Sequence, residues 1–162
     1  MDRKILALLQ QDSTLPIAAL ARQVGLSQTP CWKRIQRLEA TGVIERRVAL
    51  LNPEHVGVGL TVFVAVETAD HSPDWLARFA AAVSAMPEVM EAHRMAGDVD
   101  YMLRVAVADM AAYDRFYKRL IGAVALKNVS SRFSMERIKS TTALPLSLDE
   151  PARDGRAAAQ RA

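Results

Sequence analysis

Apolar positions in the first 40 residues repeat at helical intervals and predict three short helices, at about 2–11, 17–24 and 28–40. Asp2 is placed to cap the first helix, and Ser27 is placed to cap the third. A tight turn containing glycine joins the second and third helices. Two helices joined in this way, the second of them basic, are typical of a helix-turn-helix, here at about 17–36.

The third helix separates its apolar residues from its basic ones. Cys31, Ile35 and Leu38 are spaced to point inward, which predicts a buried, structural cysteine. Three cations fall on the other side of the helix: Lys33, Arg34 and Arg37. A DNA-binding helix explains this arrangement, and a helical bundle with a solvated basic face is the alternative.

Residues 43–51 follow the third helix and read as a short β-hairpin, or wing, that carries Arg46 and Arg47. The wing completes a predicted winged helix-turn-helix domain over residues 1–51. A connector with proline and two glycines follows at 52–59.

From residue 60 the apolar pattern alternates between strand and helix periods. Strands are predicted at 60–67, 88–96, 99–107 and 127–139, and helices at about 73–85 and 109–121. The order βαββαβ predicts a ferredoxin-like domain over residues 60–146, so the fold class is α+β. One face of such a sheet is left uncovered, and a second copy of the chain is the plainest cover. Residues 147–162 show no core pattern and are expected to be a disordered tail.

The charge is concentrated at one end of the chain. Of the net +3 in 162 residues, residues 1–50 hold a balance of +4, whereas residues 51–140 hold −1. A basic block beside a neutral one suggests that the N-terminal part meets a polyanion. No apolar stretch approaches the length of a membrane span and no signal peptide is visible, so we expect a cytoplasmic protein with no membrane partner.

The residues give no indication of catalysis or of a bound metal. The chain has a single cysteine and three scattered histidines, which does not match zinc-ligand spacing. It also lacks a nucleophile-elbow motif and a Walker loop. We therefore expect no enzyme, no metal and no cofactor.

Several short motifs occur together in a fixed order along residues 2–146. They are DRKIL (2–6), LARQVGLSQTPC (20–31), RIQRLE (34–39), GVI (42–44), LNP (51–53), PEV (87–89), GDVDY (97–101) and DM (109–110). In order and spacing the chain resembles the leucine-responsive/asparagine (Lrp/AsnC) family of bacterial and archaeal transcriptional regulators. Trp32 stands where this family usually has leucine. It packs against the second helix or lies at the DNA surface, and of the two we expect packing.

For the N-terminal half, the resemblance implies that the third helix enters the major groove of a double-stranded DNA operator. The expected DNA-binding residues are Ser27, Gln28, Thr29, Lys33, Arg34, Arg37, Arg46 and Arg47. Their cations are suited to phosphates or to guanine edges.

The segment from Gly97 to Tyr101 carries two carboxylates, Asp98 and Asp100, two residues apart. An acid/base pair and a simple hairpin turn both explain the pattern. The resemblance adds a third role, a pocket between dimers for a free amino acid, where one carboxylate faces the ammonium group and Gly97 lets backbone approach closely. The expected effector-binding residues are Met95, Gly97, Asp98, Asp100, Tyr101, Leu103, Ser131 and Ser134.

Together these features predict a sequence-specific transcriptional regulator of amino-acid metabolism or transport genes. The resemblance implies a homodimer that associates further, commonly to an octamer, and a hydrophobic amino acid such as leucine as effector. The alternative from another class is an amino-acid-sensing module that regulates an enzyme through protein contacts.

Overall fold

The computed structural model of the chain describes residues 1–147. They form two compact units, one made of residues 1–49 with the segment from Lys139 onward, the other of residues 50–138. The first unit contains three helices, α1 (Asp2–Gln11), α2 (Ile17–Gln23) and α3 (Gln28–Ala40). Within the described residues, no helix is both long enough and apolar enough to cross a bilayer.

The three helices pack around a small apolar core. Its buried members come from all three helices and from the turn after α2: Ile5, Leu20, Ala21, Val24, Cys31 and Ile35. The turn depends on Gly25, whose φ of 70° lies in the left-handed region that favours glycine. Leu26 follows and donates its backbone N–H to the carbonyl of Ala21 at 2.9 Å. The helix-turn-helix is thus confirmed.

Two features at the edges of these helices differ from expectation. Met1, not Asp2, is the N-cap of α1, because Asp2 already has helical backbone and its carboxylate turns toward α3. Ser27 is the N-cap of α3, but its hydroxyl makes no capping hydrogen bond.

The predicted β-hairpin at 43–51 is wrong. No described residue between α3 and residue 60 belongs to a strand. Ile44 instead packs on the helical core, and its N–H donates to the carbonyl of Leu38 at 3.0 Å. A hairpin needs a second strand to satisfy its backbone, and residues 45–51 find none.

The second unit is a four-stranded antiparallel sheet with two helices. Its elements are β1 (Leu60–Glu67), α4 (Pro73–Ser84), β2 (Val89–Arg94), β3 (Tyr101–Val107), α5 (Met110–Ala123) and β4 (Asn128–Phe133). The sheet order is β2-β3-β1-β4, which confirms the ferredoxin-like βαββαβ domain. Ser72 and Asp109 cap α4 and α5 with side-chain hydrogen bonds.

The core of this unit lies between one face of the sheet and the two helices. Val64, Leu103 and Val105 supply fully buried sheet residues, and Phe116 supplies one from α5. Trp75 of α4 stacks on Phe79 with 5.0 Å between ring centroids, and its indole N–H donates to the carbonyl of Ala125 at 2.8 Å.

The predicted strands extend too far at two places in the sheet. The strands β2 and β3 are separated by a six-residue loop, 95–100, rather than by a two-residue turn. The last strand ends at Phe133 instead of residue 139. Its partner β1 begins at Leu60, and the backbone bond from Ser134 to Thr61 is the last that β1 can offer.

The open face of the sheet is mixed in character rather than apolar. One row crosses all four strands, in the order Glu91, Arg104, Phe63 and Arg132. Arg104 pairs with Glu91 at 2.6 Å, while the Phe63 ring stays 40% exposed. This row gives a partner surface both an apolar centre and charged flanks.

The segment 139–147 packs on the helical unit. The side-chain amide of Gln10 accepts the N–H of Leu144 at 2.6 Å and donates to the carbonyl of Leu144 at 3.3 Å. Arg3 donates to the carbonyl of Ser147 at 2.7 Å. The rest of the expected tail, 148–162, lies outside the described residues.

Candidate functional site

The exposed side of α3 begins at its N-terminal end. Ser27, Gln28 and Thr29 are exposed there. The first amides of a helix have no intrahelical acceptor and carry the positive end of the helix dipole, which makes this end a suitable anion site. Pro30, which has no N–H, occupies the same turn at no cost to the hydrogen bonding.

The five predicted DNA-binding cations divide into two groups. Arg34 lies 2.7 Å from one carboxylate oxygen of Asp2, and Arg37 is bound to the other oxygen. Arg47 pairs with Glu39 at 2.9 Å. Lys33 and Arg46 are exposed and pair with no other residue among 1–147. Those two cations are therefore free to meet an external anion.

The Asp2 carboxylate was missed as a member of this site. Partial burial alone would raise its pKa, but the hydrogen bond and charge of Arg34 and the charge of Arg37 outweigh that effect and lower the pKa. The carboxylate is therefore ionised at neutral pH. Because its partners are 32 and 35 residues away, no local pattern announces the contact.

Trp32 is half exposed, with 50% of its surface open, and makes no ring contact within residues 1–147. The expectation that it packs against α2 is wrong. Trp32 follows the buried Cys31 by one residue, which on a helix turns it about 100° from the apolar stripe. The sequence alone therefore indicates that Trp32 lies on the solvent-exposed side of α3.

Cys31 is fully buried, as its place on the stripe predicts. Burial raises the pKa of its thiol, and the nearby charge of Arg34 only partly offsets that effect. A buried cysteine that stays protonated is a packing residue rather than a nucleophile.

The loop 95–100 holds four of the predicted effector-binding residues. Its closure depends on Asp100: the Asp100 carbonyl accepts the N–H of Met95 at 2.8 Å, and the Asp100 carboxylate accepts the N–H of Thr68 at 2.8 Å. Asp98 is exposed, with no partner among the described residues, and Gly97 has a φ of 135° that favours glycine. Of the two carboxylates, Asp98 is thus the one left free to bind a cation.

Two predicted effector residues belong to the core instead. The Leu103 side chain is fully buried and Tyr101 is 7% exposed, with its ring tilted against those of Trp75 and Phe79. Both project toward the helices, because they share the covered face of β3 with Val105 and Val107 at every second position. Their side chains offer almost no surface to a ligand.

The two serines of the predicted effector set are not brought to the loop within one chain. Ser131 is hydrogen-bonded to the hydroxyl of Tyr113. Ser134 follows the end of β4 that pairs with the start of β1, whereas the loop adjoins the opposite end of the sheet, about 20 Å along the strand direction. A pocket that used both ends would need more than one copy.

Known proteins resemble the chain over nearly its whole length. The family model for the AsnC-type helix-turn-helix domain matches residues 1–39, and that for the Lrp/AsnC ligand binding domain matches residues 61–144. The DNA-binding transcriptional activator DecR of Escherichia coli K12 is 56% identical over 90% of this chain and 97% of its own.

Solved structures of regulators also resemble the chain. An AsnC family transcriptional regulator from Agrobacterium tumefaciens is 61% identical, with a TM-score of 0.86 over 89% of this chain and 94% of its own. The transcriptional regulator NMB0573 of Neisseria meningitidis, in complex with L-Met, is 36% identical, with a TM-score of 0.85 over the same shares.

Proposed function

The chain belongs to the Lrp/AsnC family of DNA-binding transcriptional regulators, and we propose that it reads its operator with α3 and senses a free amino acid with the 95–100 loop. The genes it controls then serve amino-acid metabolism or transport. We propose that it acts in the cytoplasm, where its DNA partner would be. We propose no enzymatic step, metal or cofactor for it.

The observation that carries the DNA-binding proposal is the surface of α3. Exposed polar side chains at the helix N-terminus lie next to Lys33, which no carboxylate among residues 1–147 neutralises, and Arg46 follows the helix. An unpaired cation that neutralises a DNA phosphate releases a counterion from the DNA, and this release contributes to the affinity. Polar side chains at the first turn of a recognition helix are placed to read base edges.

The amino-acid proposal rests on the loop and on the relative crystallised with L-Met. A zwitterion needs a carboxylate for its ammonium group, backbone amides for its carboxylate and an apolar wall. Asp98 supplies an unpaired carboxylate, Gly97 leaves its backbone open, and Met95, 42% exposed, supplies apolar surface. We propose a hydrophobic amino acid, methionine or leucine, bound between dimers.

DNA titration at several salt concentrations tests the proposal. Affinity for duplex DNA should fall on the order of a thousandfold between about 50 and 200 mM salt. The emission of Trp32 should change on binding, because half of its surface is open to a ligand, whereas Trp75 is 1% exposed and should stay silent. A Trp32→Phe variant should bind DNA and lose the emission change.

A flat salt response would contradict the DNA-binding proposal. A protein dock with one or two ion pairs at its rim depends only weakly on salt. That result would favour the other class of function, a sensing module that acts on a protein.

For assembly we propose a dimer through the open sheet face, with further association of dimers, up to an octamer. Phe63→Glu should prevent the dimer, since the centre of that face would lose its exposed apolar ring and the interface would have to desolvate a carboxylate, even with Arg104 and Arg132 beside it. Light scattering after gel filtration measures the mass. Met110→Glu is the matched control: Met110 is also an exposed apolar residue, at the start of α5, and its change should leave the mass as in the unaltered protein. A Phe63→Glu protein of unchanged mass would contradict this interface.

A further inference from the structure

We propose that Asp2 is a positioning residue for DNA recognition, which orients the guanidinium groups of Arg34 and Arg37 on α3 before DNA arrives. This inference rests on the proposed function, because it concerns the quality of DNA binding rather than its existence. It starts from one carboxylate of α1 that is paired with two arginines of α3 through its two separate oxygens.

The packing of α1 holds the Asp2 carboxylate in place. Asp2 lies one helical turn before Ile5, which is fully buried in the helical core. Its side chain is only 12% exposed. The packing of α1 thus sets the position of the Asp2 carboxylate. Through its two ion pairs, the carboxylate in turn orients the guanidinium groups of Arg34 and Arg37.

The arginines remain available while they are held. A guanidinium group has five N–H donors in a rigid plane, and Asp2 is bonded to one terminal nitrogen of each arginine. The Arg37 side chain is 61% exposed and that of Arg34 is 39% exposed. The remaining donors can therefore reach phosphates or guanine edges while the carboxylate limits the rotation of each side chain.

A carboxylate near DNA has two possible effects, and they differ in sign. If Asp2 acts only as a charge, its removal should strengthen binding to every duplex, because less negative charge faces the phosphates. If Asp2 orients the arginines, its removal frees two side chains that are rich in rotamers, and recognition that depends on geometry should weaken. Affinity for a random duplex, which depends on charge alone, should not weaken.

The test compares two labelled duplexes in fluorescence anisotropy titrations. One is selected by the unaltered protein from a randomised pool, and the other is a scrambled duplex of the same composition. The dissociation constant for the scrambled duplex divided by that for the selected duplex measures discrimination, so a lower ratio means weaker discrimination. Asp2→Asn should lower that ratio about tenfold, within the range that one lost base contact produces. Affinity for the scrambled duplex should be unchanged or higher.

The matched control is Glu45→Gln, which removes one negative charge beside Arg46 from a residue that pairs with none of residues 1–147. It should leave the discrimination ratio unchanged. A variant that lacks both arginines, Arg34→Ala/Arg37→Ala, gives the second comparison. Adding Asp2→Asn to it should have no further effect on the ratio, because Asp2 acts through those two residues.

The ratio separates positioning from a merely structural role. Partial unfolding of Asp2→Asn would weaken binding to both duplexes equally and leave the ratio intact. An unchanged ratio in Asp2→Asn, or an added loss in the variant without both arginines, overturns the inference. Failure of the unaltered protein to bind either duplex with a steep salt response would instead overturn the proposed function.

Discussion

Replacing Lys33 and Arg46 together by alanine should weaken DNA binding by about a hundredfold or more near 100 mM salt, the largest loss expected from any two surface residues of the helical unit. The reason is that these two cations have no carboxylate partner among residues 1–147. Arg34, Arg37 and Arg47 each have one, so part of their charge is already compensated.

The salt response measures this effect directly. Each phosphate contact that is lost should lower the slope of log affinity against log salt by about one, so the double variant should lose about two for each DNA-binding unit. Anisotropy titrations at several salt concentrations give both numbers. Thermal unfolding should be nearly unchanged, since both side chains are exposed and unpaired.

The control for charge is Arg78→Ala/Arg115→Ala. Both arginines are exposed on α4 and α5, and neither forms an ion pair with any described residue. This variant has the same net charge as the first but should keep its salt slope. Equal losses in the two variants would mean that net charge, rather than the surface of α3, governs the affinity.

The sequence predicts those parts of the fold that depend on neighbouring residues. The periods of apolar residues identify each helix and strand, because the side chains that share a core face recur every two or about 3.6 residues. Glycine at position 25 marks the turn because the backbone there needs a positive φ. Where an element ends depends on its partners instead. The end of β4 is set by the start of β1, and the predicted wing finds no partner strand among residues 1–147.

The site shows the same division between local and distant causes. The basic face of α3 follows from helical geometry, and so does the exposure of Trp32. The burial of Tyr101 and Leu103 also had a local signal, since with Val105 they occupy every second position of β3 and so share one face. The contact from Asp2 to Arg34 had none, because it joins two helices 32 residues apart. Which cations are free is therefore a property of the tertiary fold.

Replacing Asp98 by asparagine should weaken amino-acid binding by about thirtyfold or more and leave the stability of the free protein unchanged. In the proposed site, Asp98 alone offers an unpaired carboxylate to the ligand ammonium group. Removing one partner of such a charge pair typically costs about 2–5 kcal/mol, which lowers affinity by about thirtyfold or more. The Asp98 side chain makes no contact with residues 1–147 that its loss could break.

Thermal unfolding measures both effects in one experiment, with L-methionine and L-leucine as the first ligands and the other eighteen amino acids after them. A ligand at 100 times its dissociation constant adds about 2.7 kcal/mol, which raises the unfolding temperature by several degrees. The unaltered protein should show this rise with one ligand or a few chemically similar ones. Asp98→Asn should show at most about a third of this rise at the same concentration, because a ligand that binds thirtyfold more weakly adds only about 0.9 kcal/mol.

Two further variants separate ligand contact from loop structure. Asp74→Asn removes a charge from the exposed start of α4 and should keep the full ligand-dependent rise. Asp100→Ala should lower the unfolding temperature even without ligand, because the N–H of the buried Thr68 loses its acceptor. If Asp98→Asn kept the rise and only Asp100→Ala lost it, the ammonium site would have to be assigned to Asp100. The free carboxylate of Asp98 would then have no part in sensing.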